Sequence, residues 1–270
     1  MISTAELHRC ATRDGLRFDQ AERDYVILLL LSGLSPQAET RQQWFFKGGT
    51  CLRHCYYRGY RFSEDVDFSC TSYLSEAARL LSAVTRGLTE ATGVRLTAGQ
   101  PRAEPAEAQA EIAVSYSRGG PRRQSLPVVR VHLSFDEPLL ADPEERPVRS
   151  PYSEPAAFSI VAYSKVEIVA EKLRALLQQQ KKWPRPRDLY DLWYIACSQA
   201  ETFDRRHLRE LFESKCRLRG VLPDAEGLRS DRLYEWNRNA WAAQLSPLLR
   251  LLPDYDHVWA EWVARCKELL

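Results

Sequence analysis

Apolar positions run at helical spacing, then alternate, then return to helical spacing along the chain. Tyr25-Val26-Ile27-Leu28-Leu29-Leu30-Leu31 follows the polar lead Asp19 to Asp24, so the first forty residues predict helix, stopped by Gly33 and Pro36. Gln43 to Lys47 predicts a short buried strand that ends at two glycines, and Thr50 to Tyr57 a helix. Asp65 to Cys70 alternates polar with apolar and predicts a second strand. Ser75 to Thr92 predicts a helix with Leu80, Leu81, Val84 and Leu88 on one side. Ala110 to Ser117 and Pro127 to Phe135 predict two strands, joined through Arg118-Gly119-Gly120-Pro121-Arg122-Arg123, a hairpin signal with a basic tip. The Pro-rich, acidic stretch from Glu137 to Pro155 predicts a surface connection and a domain boundary.

Beyond Ser164 the texture is helical. Val166, Val169, Leu173, Leu176 and Leu177 mark one helix, and Leu189, Leu192, Trp193 and Ala196 another; residues 204–217, 229–251 and 255–270 supply the rest. No internal repeat is visible. The order predicts an α+β protein, with an α/β domain over residues 1–155 and a helical bundle over 156–270.

Composition narrows the class. With 270 residues and 44% hydrophobic content the chain can bury a sizeable core, and its net charge of +2 is too balanced to imply nucleic-acid binding by itself. The longest uncharged apolar run, Tyr25 to Leu34, is too short to cross a bilayer, and the N-terminus lacks the basic-then-apolar order of a secretory signal. Seven cysteines are scattered without zinc-site spacing, which predicts buried free thiols and a cytoplasmic location.

The chemistry concentrates in Phe45-Phe46-Lys47-Gly48-Gly49-Thr50 and Arg61-Phe62-Ser63-Glu64-Asp65-Val66-Asp67. Glycines after a strand let a phosphate approach backbone N–H groups with no Cβ in the way. On a strand, Asp65 and Asp67 share one face while Val66 and Phe68 share the other. Paired carboxylates repel unless a cation lies between them, and Mg²⁺ takes one or two carboxylates together with phosphate oxygens. The plain alternative is a polar-out edge strand.

Together, Gly48-Gly49-Thr50, fourteen intervening residues and Asp65-Val66-Asp67 resemble the signature of the polymerase-β-like nucleotidyltransferases. The longer blocks resemble the AbiEii/AbiGii toxin family, nucleotidyltransferase toxins of type IV-like toxin–antitoxin and phage-abortive systems. Ala170-Glu171-Lys172-Leu173-Arg174-Ala175 resembles that family's helical lysine motif, and Arg187-Asp188-Leu189-Tyr190-Asp191-Leu192 its final acidic motif. The resemblance implies a nucleotidyltransferase domain with a mixed sheet and a helical domain that contributes Lys172 and Asp188. It implies that Lys47, Gly48, Gly49, Thr50 and Ser63 seat the NTP, that Asp65 and Asp67 hold Mg²⁺ or Mn²⁺, that Lys172 contacts nucleotide phosphate, and that Asp188 is needed for activity. Asp65, Ser63, Lys172 and Asp188 are thus the expected catalytic set. On helical geometry Lys172 lies on the flank of the apolar stripe of its helix, which suits an ammonium reaching into a cleft.

Members of the superfamily commonly add a third carboxylate from a later strand. Here that position falls within Val129-Arg130-Val131-His132-Leu133, on His132. Either Asp136 or Glu137 compensates, or two carboxylates suffice, or the register differs; His132 is either a packed histidine or a base for the acceptor. Arg118, Arg122 and Arg123, and Lys181, Lys182, Arg185 and Arg187 with Trp183 among them, are candidate contacts to an RNA backbone. The resemblance implies transfer of NMP from NTP to RNA, first the 3′ end of tRNA, a block of translation, and a cognate antitoxin partner. The alternatives are a protein or small-molecule acceptor, as in antibiotic modification, or an inactive nucleotide-binding relative.

Overall fold

In the computed structural model the described residues are 1–104, 108–119, 125–179 and 183–270. The chain divides into two compact units: Met1–Leu139 with Pro143–Tyr163, and Leu140–Asp142 with Ser164–Leu270.

The first unit is built on a mixed sheet of β1 (Trp44–Lys47), β2 (Asp65–Cys70), β3 (Arg95–Ala98), β4 (Arg102–Glu104), β5 (Gln109–Ser117), β6 (Val128–Ser134), β7 (Glu144–Val148) and β8 (Phe158–Ala162). Its order is β3-β5-β6-β2-β1-β8-β7, with β4 also paired to β5. β2 runs antiparallel to β1 and parallel to β6, so the strand that carries both aspartates lies inside the sheet. Alternation explains β5, where Ala110, Ile112, Val114 and Tyr116 are buried and the residues between them are not. Val66, Phe68, Val131 and Leu133 form the apolar face beside it.

Helices α1 (Thr4–Asp14), α2 (Phe18–Leu34), α3 (Ala38–Gln43), α4 (Gly48–Cys51) and α5 (Leu74–Thr92) complete this unit. The run Tyr25 to Leu31 is buried all round, as expected of a helix with no polar face in its middle. Gly33 does not stop α2, which continues to Leu34. A Cβ at Gly33 would lie 2.8 Å from Leu88 and 2.9 Å from Val84, so the glycine permits close packing against α5. The helix expected after the glycines forms as α4 and continues as a π-helical turn, Leu52–Tyr56.

Two sequence expectations change here. The stretch 137–155 contains β7, an edge strand paired antiparallel to β8, with Pro147 where an edge tolerates a residue lacking an N–H donor. The boundary expected after residue 155 precedes β8, which pairs with β1 and belongs to the sheet.

The second unit holds α6 (Lys165–Gln179), α7 (Pro186–Trp193), α8 (Arg205–Leu218), α9 (Asp231–Leu245) and α10 (Tyr255–Leu269). Leu173, Leu176, Leu189, Leu192, Leu208, Leu211, Trp241, Val258 and Trp262 form its core. The fully buried Glu167 accepts from the N–H groups of Leu140 and Ala141 at 3.2 and 2.8 Å and pairs with Lys215 at 2.6 Å. Those bonds explain why residues 140–142 pack with the helices. All seven cysteines are free thiols, and burial pushes Cys197 and Cys216 up to about 11. No helix among the described residues is long and apolar enough to cross a membrane.

Candidate active site

β1 ends at Lys47 and the chain turns into α4 through Gly48, whose φ of +76° disfavours any side chain. Space excludes one as well. A Cβ on Gly48 would sit 2.3 Å from Oδ2 of Asp67, and one on Gly49 would sit 2.6 Å from Nη2 of Arg61 and 3.0 Å from Oγ of Ser63. The glycines therefore face a carboxylate, a guanidinium and a hydroxyl delivered by β2 and the segment before it. Thr50 is fully buried, and its hydroxyl donates to the carbonyl of Asp65, tying α4 to β2.

Strand register sets the rest of this face. Lys47 pairs with Asp67, Asp67 with His132, and His132 with Glu111; Asp65 pairs with Arg130. Residues opposed in a ladder project to the same side, so β1 and β6 add charge or imidazole next to the aspartates, and β5 adds Glu111 one strand further along the same face. Arg130 lies 3.6 Å from Glu111. Lys47 is buried, contacts Glu137 and sits 5.7 Å over the ring of Tyr163. The register places His132 directly across from Asp67, at the position where a third carboxylate is sought. Glu137 lies past the end of β6 and is engaged by Lys47, and Asp136 is exposed. Glu111 is an acid of this row that strand patterning alone does not single out, because register with a neighbour two strands away is a tertiary property.

The irregular segment before β2 is held firmly. Glu64 pairs with Arg23 at 2.6 Å. Arg53, in the π-helical turn, donates to the carbonyl of Tyr60 at 2.6 Å, packs on Phe62 and binds Asp24 at 2.9 Å. Asp24 is fully buried. Burial alone would raise its pKa, but Arg53 and His54 outweigh it and hold the carboxyl well below the usual carboxylate range.

In the helical unit, Lys172 of α6 is buried with Nζ 2.7 Å from Asp188 and 2.7 Å from Asp191. Asp188 also accepts from Arg185 at 3.0 Å. The two acids stand one turn apart on α7 and so share a face. Asp191, the less prominent acid in the sequence, has no exposed side-chain surface. Burial pushes the Asp188 carboxyl up, yet Lys172 and then Arg185 draw it well below the ordinary range. The ammonium of Lys172 is thus clasped by carboxylates.

The basic candidates separate. Arg118 donates to the carbonyl of Ile2 and packs over Tyr25, so it is a structural contact within the sheet unit and not a hairpin tip. Arg185 is exposed and paired to Asp188, Arg187 is half-buried, and Trp183 is 70% exposed. Arg122, Arg123, Lys181 and Lys182 lie outside the described residues.

The sequence matches the family described as Nucleotidyl transferase AbiEii toxin, Type IV TA system, over residues 29–265. The chain belongs to the AbiEii nucleotidyltransferase toxin family. No curated protein matches it. The AbiEii assignment has support from solved structures at the level of fold. MenT4, nucleotidyltransferase toxin Rv2826c from Mycobacterium tuberculosis H37Rv, superimposes with a TM-score of 0.68 at 21% identity, covering 100% of this chain and 90% of that one. JHP933 from Helicobacter pylori gives 0.60 at 17% identity, covering 94% and 93%. A putative nucleotidyltransferase from H. pylori gives 0.56 at 18%, covering 93% of each. The AbiEii family supplies the class of chemistry, nucleotidyl transfer by a toxin of a type IV toxin–antitoxin system, and implies an NTP substrate and an antitoxin partner.

Proposed function

We propose that this AbiEii protein transfers NMP from an NTP to an RNA hydroxyl, first that of a tRNA 3′ end, and thereby blocks translation. The observation that carries the reading is the convergence on Gly48 and Gly49 of the Asp67 carboxylate and the Ser63 hydroxyl, with Asp65 on the same sheet face. The acceptor oxygen forms a bond to the α-phosphorus, the bond from that phosphorus to the β-phosphate oxygen breaks, pyrophosphate leaves with the electron pair, and the hydroxyl proton passes to solvent. Ser63 and the backbone of Gly48 and Gly49 orient the phosphates, and fixed donors of this kind need no reorganisation during reaction.

Among the described residues, no three His, Cys, Asp or Glu side chains are grouped to hold a metal ion. Two carboxylates fit an ion that completes its shell with substrate phosphates. Asp65 and Asp67 would hold Mg²⁺ or Mn²⁺ in that way, and the bound ion would offset phosphate charge. Lys172 and Asp188 are assigned to the same reaction on their place in the family pattern. Exposed Trp183 with Arg185 beside it supports an RNA acceptor, since indoles stack on unpaired bases.

The test is incubation with each labelled NTP, Mg²⁺ and total RNA. The expected result is label on RNA that disappears in Asp65→Asn. Label on protein alone, or on a small molecule alone, would replace the RNA acceptor; no transfer to anything would dismiss the enzyme.

A further inference from the structure

Arg130 of β6 is an exposed guanidinium on the sheet face that carries the aspartates, and it has no role in the sequence motifs. Its register places it opposite Asp65 on β2 and opposite Ala113 on β5. Val129 and Val131, its neighbours in the chain, are buried on the other face, so alternation fixes the side to which Arg130 projects. Among the described residues its ion partner is Glu111, diagonally across on β5, with the carboxylate 3.6 Å from Nε. That contact is longer than a hydrogen bond, and the Arg130 side chain stays 48% exposed. Ala113, directly opposite, ends at Cβ. Glu111 therefore sets the direction of the guanidinium and leaves its N–H donors to a further anion.

We infer that the acceptor RNA enters over β6 and that Arg130 binds its terminal phosphodiester, which makes Arg130 a specificity-determining residue for the acceptor. This rests on the RNA-transfer reading and adds to it a route and a contact. In an in-line displacement the attacking and leaving oxygens stand on opposite sides of the α-phosphorus. The phosphate seat at Gly48 and Gly49 follows β1, on one side of β2, while β6 flanks β2 on the other. With the α-phosphate held at Asp65 and Asp67, pyrophosphate leaves toward β1. The acceptor hydroxyl then comes from β6, whose side chains on this face are Arg130 and His132. Adjacent strands lie about 4.8 Å apart, so a long side chain one strand over reaches the phosphate behind the terminal ribose. Guanidinium meets phosphate through two parallel N–H donors, which an ammonium cannot reproduce.

The experiment measures Kd of the full-length protein, in Mg²⁺ without NTP, for two RNAs. One is deacylated tRNA, and the other is the same tRNA with a neutral methylphosphonate as its last internucleotide linkage. Steady-state kinetics run in parallel, with circular dichroism confirming folding. For native protein the neutral linkage is expected to raise Kd about tenfold. Arg130→Gln is expected to raise Kd for ordinary tRNA by a similar factor and to be insensitive to the neutral linkage. It should also lower the slope of log K against log salt by about 0.7, the share of one single-strand phosphate contact. KM for tRNA should rise and KM for NTP stay unchanged, with Arg130→Lys intermediate. The inference is overturned if native protein does not bind tRNA, if Arg130→Gln binds it within about twofold of native, or if substitution and neutral linkage multiply as independent sites do. A rise in KM for NTP with none for tRNA overturns it as well and moves Arg130 to the nucleotide. Should Arg130→Gln not fold, Arg130→Lys takes its place in the same comparison. Failure of the parent reading is separate: native protein that senses the neutral linkage through Arg130 but labels no acceptor keeps the RNA contact and loses the transferase.

Discussion

In the sheet unit, Asp65 and Asp67 stand half-exposed on a strand and take their positions from backbone pairing. In the helical unit, Lys172, Asp188 and Asp191 take theirs from one another, through two contacts of 2.7 Å. Both sets lie within residues 29–265, the stretch that matches the AbiEii family, yet they do different physical work. A carboxylate fixed by a ladder keeps its place when its charge is removed. A buried carboxylate that neutralises an ammonium does not, because its loss strands the partner charge.

The largest effect expected from this difference is chemical. Asp65→Asn should lower nucleotidyl transfer on the order of a thousandfold, since the proposed metal seat loses one of its two charges. Its stability in urea should stay within about 0.5 kcal/mol of native, as for other substitutions on exposed faces. A large loss of stability would break the comparison by showing that Asp65 also holds the fold.

In the helical unit activity and stability should fall together. Lys172→Met leaves the buried Asp191 and the partly buried Asp188 facing each other one turn apart, and Asp191→Ala leaves a buried ammonium short of a partner; each should cost about 3–5 kcal/mol. Lys172→Met combined with Asp188→Leu and Asp191→Leu should recover much of that stability while remaining inactive, because apolar groups of similar volume replace buried ions without loss. Recovery of stability with activity still absent would assign the cluster a role in the reaction. Recovery of both would reduce it to a structural clasp.

How far the sequence reaches follows the same division. β2 and the glycines are legible because period-two alternation and a Gly-Gly break are local signals. The pairing of Asp188 with Asp191 is also legible, as helix neighbours one turn apart. That both turn toward Lys172 is not, since it depends on how α6 packs on α7. β7 escapes because its edge position permits charges and a proline that mimic a loop. Arg61 escapes for another reason: it lies in an irregular segment, where only the path of the backbone decides which way a side chain points. His132 is a middle case. Its strand is readable from alternation, and its place opposite Asp67 emerges only from the β2–β6 register.

Acid sharpens the comparison further. Asp188 is held below its ordinary pKa, so its ion pair contributes fully above the unfolded value of about 3.9 and is lost as pH falls through the lower folded value. The melting temperature should therefore be level through neutral pH and drop below about pH 4. Asp188→Asn should have a lower melting temperature at neutral pH and a shallower acid limb. Asp24, depressed in the same direction by Arg53 and His54, preserves part of that limb in the sheet unit. An acid limb unchanged by Asp188→Asn would mean that the clasp contributes nothing to stability.

The smallest effect separates the inner and outer contacts of Asp188. Arg185 bonds it at 3.0 Å, but its side chain is 42% exposed, so solvent screens the pair. Arg185→Ala should cost no more than about 1 kcal/mol and leave the Lys172 contacts in place. If Arg185 serves the RNA acceptor, the same variant should raise KM for RNA and flatten its dependence on salt, because one fewer phosphate contact releases fewer counterions. KM for NTP should be indifferent to it. An effect on NTP with none on RNA would move Arg185 from the acceptor to the nucleotide and make the outer contact part of the clasp.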